Sequence, residues 1–106
     1  MKLSSSSTGG NLLITKYNKL MAFNVPKYLS HKLPNILNDS DPCMEIELSS
    51  TGITNEFLKV NGTGILLGRF IRERLSLNGK PSYRHESNPV FLYWSSQYLF
   101  WGVIYL

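Results

Sequence analysis

Cysteine is nearly absent from this sequence, since Cys43 is the single one in 106 residues. A lone cysteine excludes a disulfide framework within the chain and any zinc site built from cysteine pairs. The two histidines, His31 and His85, lie far apart, so we expect neither a metal site nor another cofactor. No run reaches the ~18 apolar residues that a membrane-spanning helix requires. The sequence therefore predicts no membrane-spanning segment.

Recognisable catalytic patterns are lacking as well. Ser95 and Ser96 have no Gly-x-Ser-x-Gly surroundings, and the glycines of residues 62–68 are not followed by the Lys-Ser/Thr of a phosphate loop. Glu45 and Glu47 lie ~6–7 Å apart on one strand face, a separation that also occurs between glycosidase carboxylates. They occupy the polar side of an amphipathic strand, however, which favours a solvated face. We predict that the protein is not an enzyme.

Acidic residues are fewer than basic ones, with 7 Asp and Glu against 11 Lys and Arg, which gives a net charge of +4. Nucleic-acid binding needs positive charge gathered on one face. The one candidate group is Arg69, Arg72 and Arg74, which Glu73 interrupts. Arginines beside a carboxylate are more typical of a solvated face, so nucleic-acid binding is kept only as a second alternative.

The first part of the chain, residues 1–42, is predicted to be a flexible or irregular N-terminal segment. Residues 1–10 are Ser-rich and end in Thr-Gly-Gly, which is typical of a tail. Residues 12–23 carry broken apolar patches that suit a short helix or an irregular strand. Three prolines at eight-residue spacing predict loop or extended linker over residues 24–42.

The second part, residues 43–106, is predicted to be a small antiparallel β-domain. Met44, Ile46 and Leu48 alternate with polar residues, which indicates a half-buried strand. Asn78-Gly79 predicts a tight hairpin turn. Candidate strands cover residues 44–48, 57–60, 64–77, 81–85, 90–94 and 98–106. The predicted fold class is mainly all-β, a meander sheet of about five strands with a poorly ordered N-terminal segment.

The sequence at residues 78–85, Asn-Gly-Lys-Pro-Ser-Tyr-Arg-His, precedes Phe-Leu-Tyr-Trp at residues 91–94 and a further tryptophan, Trp101. Together with Cys-x-x-x-x-Leu-Ser-Ser-Thr-Gly at residues 43–52, this pattern resembles a small β-module repeated in multidomain extracellular proteins of invertebrate animals. The resemblance implies a β fold and an extracellular parent protein, and no characterised activity. This chain carries no signal peptide, and its localisation is left open. The apolar end at residues 103–106 is consistent with truncation of the domain at its C-terminus.

In an extracellular protein, three further residues could be modified: two asparagines and the single cysteine. Asn38 and Asn61 begin N-glycosylation sequons in predicted loops, so we expect glycans on both if the protein is secreted. Cys43 would form a disulfide with a partner outside this chain, or else it is a small buried residue at a strand start. The sequence leaves these two readings open.

Aromatic residues are dense near the end of the chain, with seven among residues 91–105. Exposed rings on a sheet can stack on sugars or anchor a protein partner, whereas buried rings pair across strands within the core. The candidate ligand-binding residues are Tyr93, Trp94 and Trp101, with Tyr83 and His85 beside them. We therefore predict a non-enzymatic interaction or scaffold module of extracellular type, with carbohydrate binding through an aromatic sheet face as the alternative.

Overall fold

The structure, a computed structural model, describes residues 22–106. The predictions for residues 1–21, a tail and a short helix or irregular strand, lie outside this range. The described part contains seven strands and one α-helix: β1 Ala22–Asn24, β2 Leu29–Ser30, β3 Glu45–Ser50, α1 Asn55–Asn61, β4 Gly68–Leu77, β5 Lys80–His85, β6 Val90–Ser95 and β7 Phe100–Tyr105.

The strands form one antiparallel sheet in the order β1-β7-β6-β5-β4-β3-β2. From β3 to β7, each strand pairs with its neighbour in sequence, as a meander requires. The predicted fold class is thereby confirmed. The sheet has seven strands rather than about five, because β1 and β2 are only three and two residues long. Strands this short are too brief to show alternation in a sequence.

The turn between β4 and β5 is the predicted hairpin turn. Asn78 and Gly79 both adopt positive φ, 55° and 80°, as a two-residue turn of type I′ requires. Along β3, Ile46 and Leu48 are buried while Glu45 and Glu47 are exposed, which confirms the predicted alternation. Met44, however, precedes the strand and is 64% exposed, so its predicted place in the core is wrong.

Residues 57–60 form part of helix α1, so the strand predicted there is wrong. The Thr54 side chain caps the first turn by accepting a hydrogen bond from the Phe57 N–H at 3.1 Å. Gly62 ends the helix in the left-handed conformation, with φ 68°. Apolar residues in a four-residue window fit either state. The capping residues on both sides favour a helix. Leu58 is the buried residue of this helix.

Strand β4 begins at Gly68, four residues later than predicted, because Gly64–Leu66 form a 3₁₀ turn. Gly68 has φ +123°, which side chains rarely permit, and a Cβ there would lie 2.8 Å from Nε2 of His85. Farther along, the register between β4 and β5 shifts between Arg72 and Ser76. Gly68 is therefore a point of close approach to His85, whereas the irregularity in the β4–β5 pairing lies later in the strand.

Residues 24–42 contribute to the main core, although the sequence predicted loop or extended linker there. Four side chains from this segment are buried: Val25, Leu29, Leu33 and Ile36. They pack against one face of the sheet, together with buried residues such as Phe70, Tyr83, Leu92 and Val103. Much of the segment is irregular, as predicted, but the described core extends N-terminally beyond the expected start at Cys43.

The opposite face of the sheet carries a smaller buried cluster of Leu77, Phe91, Tyr93 and Ile104. Strand β6 is therefore buried on both faces over most of its length. Strand β7 lies between β6 and β1, so its apolar residues do not form an edge of the sheet. Within the aromatic segment, Phe91, Tyr93 and Trp101 are buried, whereas Tyr98 is exposed.

Candidate functional site

Four of the five predicted ligand-binding side chains are buried. The exposed fractions are 0% for Tyr83, 6% for His85, 6% for Tyr93 and 7% for Trp101. Burial of these four side chains disfavours stacking on a ligand, because β5, β6 and β7 lie inside the sheet with strands on both sides. Of the five, Trp94 alone is half-buried and accessible.

Tyr83 connects strand β5 to the backbone that precedes strand β3. Its hydroxyl donates a hydrogen bond to the carbonyl oxygen of Cys43 at 2.9 Å. Burial, aided by this hydrogen bond, strongly raises the pKa of the Tyr83 phenol. The hydroxyl thus stays protonated and satisfies a backbone group just before β3. Its role is structural.

His85 is likewise committed to backbone groups. Nδ1 accepts hydrogen bonds from the N–H groups of Ser87 at 3.0 Å and Asn88 at 2.9 Å. The proton must then be on Nε2, which donates to the carbonyl of Leu67 at 2.6 Å. The ring also packs edge-on against Phe70, with centroids 4.9 Å apart. With both nitrogens occupied, His85 has no free group for general base catalysis.

The accessible aromatic surface is a groove beside the β6–β7 turn. It has a volume of about 370 Å³. We call it the tryptophan groove and define it by six residues: Pro34, Leu37, Lys80, Trp94, Leu99 and Phe100. Trp101 lies beneath them, with its ring centroid 5.7 Å from that of Trp94. The groove thus joins the N-terminal 3₁₀ turn to the last hairpin of the sheet.

Lys80 is the charged residue of the tryptophan groove and holds its two sides together. Its Nζ donates to the carbonyls of Ile36 at 2.7 Å and Leu37 at 2.6 Å. The same nitrogen lies 5.1 Å from the centre of the Trp94 ring, within the range of a cation–π contact. Lys80 thus contacts both sides of the groove, the backbone of residues 36–37 and the Trp94 ring.

The β6–β7 turn presents apolar side chains to solvent. Leu99 is 73% exposed and Tyr98 is 64% exposed, and the Tyr98 ring stacks on Phe100 at 5.7 Å. Leu99 also has φ 56°, the left-handed conformation. A leucine costs about 1–2 kcal/mol there, which Gly or Asn would largely avoid. Leu37, on the other side of the groove, is 74% exposed.

Sequence reasoning missed most of this groove. Trp94 was identified, but Leu37, Lys80 and Leu99 were not. One signal was available: the pair Tyr98-Leu99 occupies turn positions where polar residues and glycine are usual. The approach of Leu37 to Leu99 gave no signal, because 61 residues of sequence separate the two positions.

The three predicted nucleic-acid arginines do not form a free positive surface. Arg69 bridges Glu45 at 3.4 Å and Glu86 at 2.5 Å, and Glu86 in particular raises the pKa of Arg69. Arg72 donates to the carbonyls of Asp41 and Asp39. Only Arg74 has no such partner among residues 22–106. A guanidinium held by carboxylates and carbonyls offers little to phosphate.

The positions expected to matter in secretion are all at the surface or near it. Asn38 is exposed, and its Oδ1 accepts from the N–H of Ser40 at 3.0 Å. Asn61 is exposed at the end of α1, where its Nδ2 donates to the Phe57 carbonyl. Cys43 is half-buried against the core, and its thiol donates to the Glu45 carbonyl at 3.3 Å. Glycosylation and an external disulfide stay predictions.

The described part of the chain holds no cluster of three or more His, Cys, Asp or Glu side chains that could bind a metal ion. Over the same residues, no helix is both long enough and apolar enough to cross a membrane. Comparison with protein-family models, with curated proteins and with solved structures gives no match for this chain.

Proposed function

We propose that this chain is a non-enzymatic interaction module that binds a protein segment in the tryptophan groove. One observation carries the proposal. Leu37 and Leu99 are each more than 70% exposed on the two sides of the half-buried Trp94. Exposed leucines that converge on a ring are typical of a surface that is covered by a partner.

The conformation of Leu99 supports the proposal independently. Folding gains nothing from a leucine that is both exposed and held at positive φ. Strain of this kind persists where another role requires the side chain. A binding role provides that requirement, because burying a leucine side chain in a complex contributes about 1.5–3 kcal/mol.

The chemistry of the tryptophan groove favours a protein segment over a sugar. A sugar stacked on Trp94 would need neighbouring polar side chains for its hydroxyl groups. Among the described residues that line the groove, Lys80 offers the one charged side chain, and its Nζ is already bonded to two carbonyls. We therefore expect the ligand to present an apolar side chain to the groove. We also expect it to place an acidic group near Lys80, because the two neutral carbonyls occupy N–H donors of Nζ but leave its positive charge uncompensated.

The setting we propose is an extracellular parent protein, as the resemblance to the invertebrate β-module implies. Exposed sequons at Asn38 and Asn61 are compatible with it. The test is secretion of the chain behind an added signal peptide in animal cells. We expect a glycan mass on the wild type that Asn38→Gln and Asn61→Gln remove one at a time. A secreted chain that stays unglycosylated would argue against this setting.

Binding can be tested with a displayed library of random dodecapeptides, selected on the chain and titrated by tryptophan fluorescence. We expect selected peptides to carry an apolar anchor and an acidic residue. Leu99→Asn should weaken their binding about tenfold or more, since most of a leucine contact is lost. The same variant should melt at the same temperature or higher, because Asn tolerates positive φ.

Val60→Ser is the matched control, because Val60 is 83% exposed on α1, outside the tryptophan groove. It should leave peptide affinity unchanged. Equal affinity of the wild type and Leu99→Asn for every selected peptide would contradict the proposal. A glycan that quenches the fluorescence, in place of any peptide, would favour the carbohydrate alternative. Salt-sensitive retention on DNA that depends on Arg74 would favour nucleic-acid binding.

A further inference from the structure

Strand β3 has an incomplete outer edge. On one side β3 pairs with β4 over Glu45–Leu48, and on the other side β2 pairs only with Ser49 and Ser50. The chain leaves the ladder after Ser30, because Lys32 already begins the 3₁₀ turn at Leu33–Asn35. The sheet order ends at β2, so no other described strand continues along this edge.

The register shows which backbone groups point to this edge. The N–H of Arg72 donates to the carbonyl of Met44 at 2.9 Å, in line with the β3–β4 pairing. In an antiparallel ladder such bonded pairs alternate with unbonded pairs. Ile46 therefore bonds to β4, whereas the N–H and C=O groups of Glu45 and Glu47 point away from β4. The Glu45 carbonyl already accepts the Cys43 thiol at 3.3 Å, which an incoming strand would displace. Within residues 22–106, the backbone of Glu47 has no hydrogen-bond partner.

A cavity lies along the same edge. Its volume is about 370 Å³, and it is bounded by Ile46, Glu45 and Glu47 on the strand and by His31 and Lys32 on the loop. We call this edge, from Glu45 to Leu48, the β3 edge. Unpaired backbone groups beside a cavity are the geometry that strand addition uses, in which an incoming strand bonds to the edge and places alternate side chains.

We propose that the β3 edge binds an extended basic peptide, with Lys or Arg opposite Glu45 and Glu47 and a small apolar residue between them. Side chains opposite each other across antiparallel strands share a face and lie about 4.5–5.5 Å apart. The two basic side chains would thus meet the two carboxylates. The apolar residue opposite Ile46 would point into the cavity on the core side.

The charges of neighbouring groups support a basic occupant. Glu47 makes no ion pair with any described residue, since its cross-strand neighbour Arg69 bonds to Glu45 and Glu86 instead, so the Glu47 carboxylate has no cation bound to it among residues 22–106. Lys32 lies in the loop that leads to the buried Leu33, on the core side of β3. The carboxylates, by strand alternation, point to the other side.

The same charges disfavour a second copy of this chain as the occupant. Two copies of β3 that paired antiparallel about a twofold axis at Ile46 would bring Glu45 opposite Glu47 on both sides of the axis. Like charges directly opposite each other destabilise a strand pair. Glu45 and Glu47 therefore disfavour pairing of this edge with a second copy, whereas a strand with basic side chains can still pair with it.

The test uses the full chain and the acetylated, amidated peptide Thr-Lys-Val-Lys-Thr, followed by two-dimensional NMR. We expect saturable shifts at the amides of residues 45–49 and slower hydrogen exchange of the Glu47 amide. The peptide Thr-Ser-Val-Ser-Thr should bind about tenfold more weakly, because each opposite-charge pair contributes a few tenths to about 1 kcal/mol. Raising the salt concentration should reduce this difference.

Glu47→Pro and Glu47→Ala form a matched pair of variants. Both remove one carboxylate, but only proline removes the outward N–H, and proline is tolerated where that N–H does not serve the ladder. Glu47→Ala should bind the lysine peptide a few-fold more weakly, and Glu47→Pro should not bind it. A melt and the amide spectrum would confirm that both variants fold.

Three results would overturn the proposal: equal binding of the lysine peptide by both variants, shifts confined to residues outside the β3 edge, or no saturable shift at millimolar peptide. Concentration-dependent self-association that Glu47→Pro abolishes would also contradict it, since a second copy would then be the occupant.

Discussion

Replacement of Tyr83 by phenylalanine removes a single oxygen from the centre of the main core. The Tyr83 hydroxyl is the donor to the Cys43 carbonyl, and the side chain has no exposed surface. A buried carbonyl that loses its partner costs about 1–3 kcal/mol. Because a domain of this size melts about 4–8 °C lower for each kcal/mol lost, we expect Tyr83→Phe to lower the melting temperature by roughly 4–24 °C.

Tyr93→Phe is the control for this experiment. Tyr93 is also buried, at 6% exposed, but no hydrogen bond of its hydroxyl stabilises another described group. We expect the control to change the free energy of unfolding by less than about 0.5 kcal/mol. Chemical and thermal denaturation of both variants, followed by near-ultraviolet circular dichroism, measure the difference. Equal losses in the two variants would refute the argument that Tyr83 is a structural hydrogen-bond donor.

Three further predictions follow from buried or strained groups. Burial raises the pKa of Tyr83 above the ordinary 10.0. The protonated phenol therefore stabilises the fold below pH 10.0, and this contribution is lost as the pH rises above that value. Tyr83→Phe should flatten the alkaline part of a stability–pH curve. Burial lowers the pKa of His31 below the ordinary 6.5, so stability is lost as the pH falls below that value, and His31→Asn should flatten the acid part. Gly68→Ala should lower the free energy of unfolding by at least about 2 kcal/mol, because of the φ of +123° and the contact with the His85 ring. Gly62→Ala, with open space around it, should lower it by about 1 kcal/mol in the same denaturation assay. Similar losses in the two variants would contradict the argument that the His85 contact matters.

Local sequence patterns were reliable where a single element decides the outcome. The alternation at Ile46 and Leu48 and the Asn78-Gly79 turn were both predicted correctly, because strand faces and turn types depend on neighbouring residues. The prediction failed at residues 57–60. There the pattern was too short to separate a strand from a helix, and the decisive features were the cap residues on either side.

The candidate site was predicted only in part, because exposure is not a local property. Strand alternation places Tyr93 and Trp94 on opposite faces of β6, as the two core clusters show. It could not tell that the smaller cluster covers Tyr93, or that Trp94 lies at the end of the sheet, where the cover is incomplete. Nor does any local pattern show that Leu37 reaches the hairpin beside Leu99.

Periodicity and turn chemistry over a few residues were enough to predict the fold class, the principal hairpin and the faces of strand β3. The accessibility of the aromatic rings, the partners of the arginines and the open edge of β3 became known only from the packed chain. Each of these depends on residues far apart in the chain, such as Leu37 and Leu99, or β2 ending short of Glu47. Burial and charge compensation are properties of the packed chain, and only packing brings these residues together.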